Sequence, residues 1–200
     1  MKDYPGKRIF DLVMAVLMLL FWWPFILIIV LLILISSGAP VFYRQERIGK
    51  NGIPFRIFKF RTMKKNADQL GLLTIGGHDP RITGIGFFLR KFKLDELPQL
   101  FNVISGKMSI VGPRPEVAKY VSLYSESQKH ILNVRPGITD PASLTYRNEN
   151  EILARFDNPE EAYIREIMPA KIELNRQNLL QQTAWTDFGI IVRTATRIFS

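Results

Sequence analysis

Residues 12–35 read LVMAVLMLLFWWPFILIIVLLILI, 24 consecutive positions without a charged side chain. As one unbroken helix this run would extend about 36 Å, enough to cross a hydrocarbon core of about 30 Å. A cleavable leader would carry a shorter apolar stretch, and here Ser36-Ser37-Gly38-Ala39-Pro40 passes directly into a basic region. The run is therefore read as a membrane segment. Pro24 stands at its midpoint, where it removes a backbone donor and disfavours helical geometry at Trp23. Proline alone is compatible with a kinked spanning helix. The flanking charges decide otherwise: Lys2, Lys7 and Arg8 precede the run and Arg44, Arg47 and Lys50 follow it, and positive charge biases a flank to the cytoplasmic side. A re-entrant helix-break-helix, broken at Trp23-Pro24, keeps both clusters on one face. Each half, about 12 residues or roughly 18 Å, is too short to cross.

Outside this segment, the 200-residue chain has room for one domain of ordinary size. The expected organisation is a membrane hairpin over residues 1–40 and one compact catalytic or binding domain over 41–200. Charge is unevenly distributed: residues 41–135 carry 17 Lys/Arg against 7 Asp/Glu, and the remainder 10 against 11. The partners of the middle region should be anionic, and nucleic acid, acidic lipid headgroups and phosphorylated small molecules all meet that demand. The absence of cysteine excludes disulfides, thiolate zinc sites and cysteine nucleophiles, and two histidines, His78 and His130, make a histidine-based metal site improbable.

Patterning indicates an α+β, mainly helical domain with little β-structure. Ile53–Arg61 alternates with a change of parity at Phe58, as in a short strand with a bulge, and Pro54 places it at a sheet edge. Gly71, Gly76, Gly77, Pro80 and Gly84 mark residues 66–84 as a loop. Helical spacing follows over 85–105, interrupted near Pro98. Gly112-Pro113-Arg114-Pro115 must be extended or turned. Helical character resumes over 116–133, again from about 160 to 182, and over 187–199, where Phe188, Ile191, Val192, Ala195 and Ile198 form an apolar face suited to a core or to a membrane surface.

Two acids, Asp95 and Glu96, directly follow Arg90, Lys91 and Lys93. Adjacent acids on a helix ordinarily form a solvated face. Their chemical alternative is specific: one carboxylate acts as nucleophile or metal ligand while neighbouring cations neutralise a phosphate. A carboxylate approaching a diphosphate meets like charge, so a divalent cation or an Arg/Lys cluster must screen it. Lys59, Arg61, Arg90, Arg114 and Arg135 are candidates for that cluster. Arg114 is favoured, because Pro113 and Pro115 restrict the backbone presenting its planar fork.

These segments carry a resemblance. Lys7-Arg8-Ile9-Phe10-Asp11, Lys59-Phe60-Arg61-Thr62-Met63, the run from Leu94 to Val103, Val111-Gly112-Pro113-Arg114-Pro115 and Arg135-Pro136-Gly137-Ile138-Thr139 occur in an order that resembles the small monotopic phosphoglycosyl transferases, bacterial sugar transferases. The resemblance implies a re-entrant membrane helix and a catalytic domain on the cytoplasmic face of the bacterial inner membrane, in contact with membrane phospholipids. It further implies transfer of a phospho-sugar from a UDP-sugar to undecaprenyl phosphate, with UMP released and Mg2+ as cofactor. Asp95 would be the nucleophile, Glu96 would help to hold Mg2+ or position the reacting groups, and Arg90 and Arg114 would contact phosphate or lipid headgroup. Nucleic acid is not an expected partner, and a homodimer is left open. Two departures stand out: Trp23 replaces the serine that many relatives place before the helix-breaking proline, and Asp140-Pro141-Ala142-Ser143-Leu144 replaces their Gly-Leu-Ala-Gln, a change expected to bear on which sugar is accepted. The competing readings are a single-pass anchor carrying a basic module for nucleic acid or acidic lipid, which leaves the acid pair unexplained, and a polytopic transferase, which one apolar run does not support.

Overall fold

The protein is described by a computed structural model over residues 3–64, 67 and 79–198. The apolar run forms α1 (Lys7–Ser37), a single 31-residue helix with Pro24 inside it. Helix thus runs through the proline where two separate helices were expected. It is long and apolar enough to cross a membrane. Its middle, including Leu20, Phe21, Trp23, Phe25 and Leu27, is exposed, whereas Lys7, Asp11 and Ala15 near one end and Ile29 and Ile33 near the other are buried. The four-residue spacing puts each group on one stripe. Ala15 packs with Leu100, Val103, Met108 and Ile110, and Ile29 and Ile33 pack with Phe60 and Leu89.

Polar contacts fasten the same two ends. Lys7 Nζ lies 2.8 Å from Asp11 Oδ1 and 2.9 Å from Asp187 Oδ2, with all three side chains buried. Asp11 also accepts from the Ser109 hydroxyl at 2.9 Å and the Ile110 N–H at 3.1 Å, and Asp187 from Tyr4 and Gln182. Arg8 donates to the carbonyls of Val103 and Ile104 at 2.6 and 2.8 Å. At the far end Arg61 donates to the carbonyls of Ser37 and Gly38 at 2.7 and 2.5 Å, placing a cation on the negative pole of α1.

The chain continues through β1 (Phe42–Ile48) and β2 (Pro54–Phe60), an antiparallel pair in one-to-one register from Phe42↔Phe60 to Ile48↔Pro54. No bulge occurs. The parity change at Phe58 arises because both faces of β2 are covered, Phe55 and Ile57 on one and Phe60 on the other. The loop expected over 66–84 lies largely outside the described residues. The helix expected over 85–105 is divided into α2 (Gly84–Lys91), a 3-10 turn (Leu94–Glu96) and α3 (Gln99–Ile104), and the division falls before Pro98, at Lys93, whose φ of 54° is left-handed.

A parallel pair that the sequence reading did not foresee, β3 (Ser109–Val111) with β4 (Gly137–Thr139), brings two motifs together. The Gly112 N–H donates to the Thr139 carbonyl and the Gly137 N–H to the Pro113 carbonyl. A Cβ on Gly137 would fall 2.1 Å from the Gly112 nitrogen, so the Arg-Pro-Gly and Gly-Pro-Arg-Pro segments cross at a distance only glycine permits. The remaining elements are short α4 (Ala118–Val121), α5 (Glu126–Lys129), α6 (Pro141–Thr145), α7 (Glu149–Leu153) and α8 (Pro159–Ala162), then a π-turn (Tyr163–Ile167), α9 (Met168–Leu180) and α10 (Ala184–Ile198). The single helix expected over 116–133 is two short helices and a 3-10 turn, with the segment recapped at Ser125.

The buried Lys7 anchor has a thermodynamic signature. Lys7→Met leaves Asp11 and Asp187 facing each other without a cation and should destabilise the protein by roughly 3–5 kcal/mol, the cost typical of orphaning a buried charge. Adding Asp187→Asn to Lys7→Met should recover part of that loss. Denaturant unfolding of the single and double variants in detergent checks this, and simple addition of the two losses would show that the groups act independently.

Candidate active site

The 3-10 turn that carries the acid pair projects both side chains inward, Asp95 to 6% and Glu96 to 7% exposure. They sit in a turn rather than on the open helix face that would leave them solvated. Their circumstances differ sharply. Glu96 Oε1 accepts from Lys59 Nζ at 2.8 Å and from Arg114 Nη2 at 2.6 Å, and its Oε2 accepts from Arg114 Nη1 at 3.4 Å. Asp95 makes no hydrogen bond through Oδ1, which is buried. Burial raises the Asp95 carboxyl above its ordinary range and the Glu96 charge adds to this, against the pull of Lys59, Lys93 and Arg90. Arg114 and Lys59 overcome burial at Glu96 and hold it well below its ordinary value. Burial draws Lys59 down against the pull of Glu96, and Glu96 raises Arg114. Glu96 is therefore fixed as an anion by two cations, while Asp95 keeps an oxygen uncommitted to any protein donor.

Separate elements deliver these groups, and each is fastened. Lys59 comes from β2, on the face it shares with Phe55 and Ile57. Asn102, fully buried on α3, accepts from the Phe58 N–H at 3.0 Å and donates to the Arg56 carbonyl at 2.9 Å, so its amide acts as a second strand partner and ties β2 to the helix following the acid pair. Arg114 stands between buried prolines, and its segment is held through Glu116. That carboxylate accepts from Arg47 at 3.0 Å, from the Val117 N–H at 2.8 Å and from Tyr163 at 2.5 Å, while Arg47 also reaches the Pro115 carbonyl.

Of the cations expected around the pair, Lys59 and Arg114 bind Glu96 directly. Arg90 donates to Thr62 at 2.9 Å and is close enough to lower the Asp95 carboxyl. Arg61 and Arg135 are not brought to the pair. Arg61 caps α1, and Arg135 donates to the Gly106 carbonyl and to Asp3. Sequence reading missed Asn102, Glu116, Arg47 and Tyr163. Asn102 alone left a trace, an amide within an otherwise apolar helical face.

Among the described residues there is no cluster of three or more acidic, histidine or cysteine side chains that could hold a metal. The donor set suits a hard divalent ion in one respect, the uncommitted buried oxygen of Asp95. Magnesium commonly takes one or two carboxylates and completes its shell with water and substrate phosphate.

The bacterial sugar transferase family matches residues 2–200. This chain belongs to that family. It is 42% identical over 142 residues to an uncharacterised sugar transferase, EpsL, of Bacillus subtilis, spanning 71% of this chain and 69% of the relative. It is 40% identical over 159 residues to the exopolysaccharide production protein ExoY of Sinorhizobium fredii, with 72% and 70% covered. Over 198 residues it is 38% identical to the UDP-glucose:undecaprenyl-phosphate glucose-1-phosphate transferase of Xanthomonas campestris, where 96% of this chain matches 38% of that longer protein.

The charge arrangement at the acid pair fixes the direction of a pH effect. A carboxylate that must be ionised to react loses activity as pH falls through its raised value. Glu96→Gln removes one of the charges that raise Asp95 and should move the acid limb of residual kcat/KM to lower pH. Lys59→Met removes the largest opposing charge and should move the limb to higher pH. Shifts of the opposite sign would show that Asp95 is not the titrating group.

Proposed function

We propose that this protein transfers a sugar 1-phosphate from a UDP-sugar to undecaprenyl phosphate at the cytoplasmic face of the bacterial membrane, in the first membrane step of cell-surface polysaccharide synthesis. The observation that carries this reading is the contrast between Glu96, immobilised by Lys59 and Arg114, and Asp95, buried beside it with a free oxygen. The relatives add the substrate class, since the Xanthomonas enzyme and its Escherichia coli counterpart are named for glucose-1-phosphate transfer from UDP-glucose to undecaprenyl phosphate.

In the proposed mechanism, an oxygen of ionised Asp95 attacks the sugar-bearing β-phosphorus of the donor. The bond from that phosphorus to the bridging oxygen breaks, and UMP leaves with the bond's electron pair. An oxygen of the polyprenyl phosphate then attacks the same phosphorus, the Asp95 ester bond breaks, and the carboxylate is regenerated with the sugar diphosphate-lipid as product. A carboxylate nucleophile separates transfer between two anionic substrates into two individually positioned steps. Lys59 and Arg114, anchored on Glu96, bring positive charge to a site where phosphate charge accumulates. A magnesium ion held by Asp95 would, when bound, screen the diphosphate and stabilise the departing phosphate. Glu96 lies beside it, its oxygens already engaged by Lys59 and Arg114, which suits a positioning role.

The proposed membrane placement is supported by α1. Both of its ends are fastened to one domain while its apolar middle is exposed, which supports a re-entrant rather than a crossing segment. The exposed Trp185, Phe188 and Val192 of α10, beside the Lys7 anchor at Asp187, suit contact with the phospholipid surface. The rival reading, a basic module for nucleic acid, loses support because Lys7, Arg47, Lys59, Arg81, Arg114 and Arg135 are all engaged in internal ion pairs.

The nucleophile is tested by omitting the acceptor. Incubation with UDP-sugar and magnesium should add the mass of one phospho-sugar to the peptide containing Asp95, and Asp95→Asn should lose both the adduct and turnover. Substantial turnover by Asp95→Asn, or an obligatory ternary complex with no adduct on rapid quenching, would replace the covalent mechanism with direct attack by the lipid phosphate.

A further inference from the structure

Thr62 lies just beyond β2 and touches both ends of α2. Its carbonyl accepts from the Thr83 N–H at 2.9 Å and from the Thr83 hydroxyl at 3.2 Å. Thr83 is the N-cap of α2, its hydroxyl accepting from the Gly86 N–H at 3.0 Å. A Cβ on Gly86 would fall 2.1 Å from the Thr62 carbonyl oxygen, so α2 begins against Thr62 at a distance only glycine permits. From the last turn of α2, Arg90 Nε donates to the Thr62 hydroxyl at 2.9 Å. Helical side chains lean towards the N-terminus of their helix, which carries the Arg90 guanidinium back to the strand end where Thr62 stands. Thr62 is itself fixed: it is buried, and its neighbour Arg61 donates from its backbone to the Val41 carbonyl at 2.8 Å and from its side chain to the end of α1.

Arg90 also adjoins the acid pair along the chain. Its carbonyl accepts from the Lys93 N–H, and the Lys93 carbonyl from the Glu96 N–H, both at 3.2 Å. Burial draws Arg90 down, and Asp95 is the charge that opposes this most, ahead of Asp79, which Arg81 holds at 2.6 Å. Lys59 and Arg114 are oriented by the Glu96 carboxylate, whereas Arg90 binds a hydroxyl. A neutral acceptor fixes the plane of a guanidinium and adds no negative charge of its own.

We propose that Thr62 is a positioning residue for phosphoryl transfer, its hydroxyl holding the Arg90 guanidinium beside the nucleophile. The inference rests on the transferase reading and adds to it the group that orients Arg90. As Asp95 attacks, negative charge moves from the carboxylate to the phosphoryl oxygens and the leaving phosphate. A cation fixed beside Asp95 beforehand meets that charge without a long side chain having to be ordered at the moment of reaction.

The test uses the purified full chain in detergent with undecaprenyl phosphate, magnesium and a panel of UDP-hexoses and UDP-N-acetylhexosamines. Steady-state kinetics are read alongside single-turnover UMP release with enzyme in excess, which resolves slow variants. Thr62→Val keeps the backbone contacts to Thr83 and should lower kcat about 10- to 100-fold with the donor KM little changed. Thr62→Ser retains the hydroxyl and should stay close to wild type, and Thr62→Ala removes the hydroxyl without adding a methyl group. In an Arg90→Met background Thr62→Val should cost no further activity, because no guanidinium is left to orient. An equal loss from Thr62→Val in both backgrounds would assign Thr62 to the integrity of α2 alone and overturn the proposal. Full activity of Thr62→Val and Thr62→Ala, or a Thr62→Ser variant as impaired as Thr62→Val, would also overturn it. Those outcomes, with wild-type protein releasing UMP, defeat the positioning role only; wild-type protein that releases no UMP from any donor defeats the transferase reading and this proposal with it.

Discussion

The Lys7 ammonium, enclosed by Asp11 and Asp187, joins the first helix of the chain to the last and closes the fold. A cation in that position is stable only because two carboxylates and their further donors surround it. Its consequence is geometric. The start of α1 is fixed to β3 through Asp11 and to α10 through Asp187, and Arg61 fixes the other end against β2. The long apolar helix and the strands that frame the acid pair are thereby one body. In the proposed function a lipid-borne phosphate and a soluble nucleotide must meet at a definite depth, and a rigid connection between the apolar helix and the acid pair would set that depth.

The active site repeats this logic on a smaller scale. Glu96 spends its charge on Lys59 and Arg114, and this leaves Asp95 as the carboxylate with an uncommitted oxygen. Neither cation would stand there without support from further out. Asn102 substitutes for a missing strand partner and sets β2, while Glu116, tied to Arg47 and to Tyr163 in the π-turn, sets the Pro113-Arg114-Pro115 segment. The second carboxylate is thus a structural anion, and in the proposed mechanism the nucleophile is defined as much by what its neighbour binds as by its own contacts.

The apolar run, the mainly helical character and the acid pair with Lys59 and Arg114 were all legible in the sequence, because charge-free length and dense local charge survive without tertiary context. The locations of Arg61 and Arg135 were not. A motif arginine reads alike whether it meets a ligand phosphate or a helix-terminal carbonyl, and here both meet backbone carbonyls. The division at Lys93 was displaced towards Pro98 because proline is the visible breaker, whereas a left-handed lysine leaves no signal in composition. The β3–β4 pair escaped notice because three-residue strands are too short to show a period, although Gly112 and Gly137, which it requires, stood in plain view. Asp187 and Glu116 were silent for a more general reason: their partners lie up to 183 residues away, and only the folded chain brings them together.

The flanking charges that suggested a re-entrant helix take on a different physical role in the structure. Lys7 is buried in an ion pair and Arg8 is bound to backbone carbonyls, so neither is simply a solvated charge awaiting a membrane surface. The proposed re-entrant topology would then arise from folding of the domain onto both ends of α1. Because the chain contains no cysteine, the most direct measurement places single cysteines by Lys2→Cys and Lys50→Cys and treats intact cells with an impermeant thiol reagent. Neither position should be labelled until the membrane is permeabilised, and labelling of either one from outside would contradict a re-entrant helix with both ends on the cytoplasmic face.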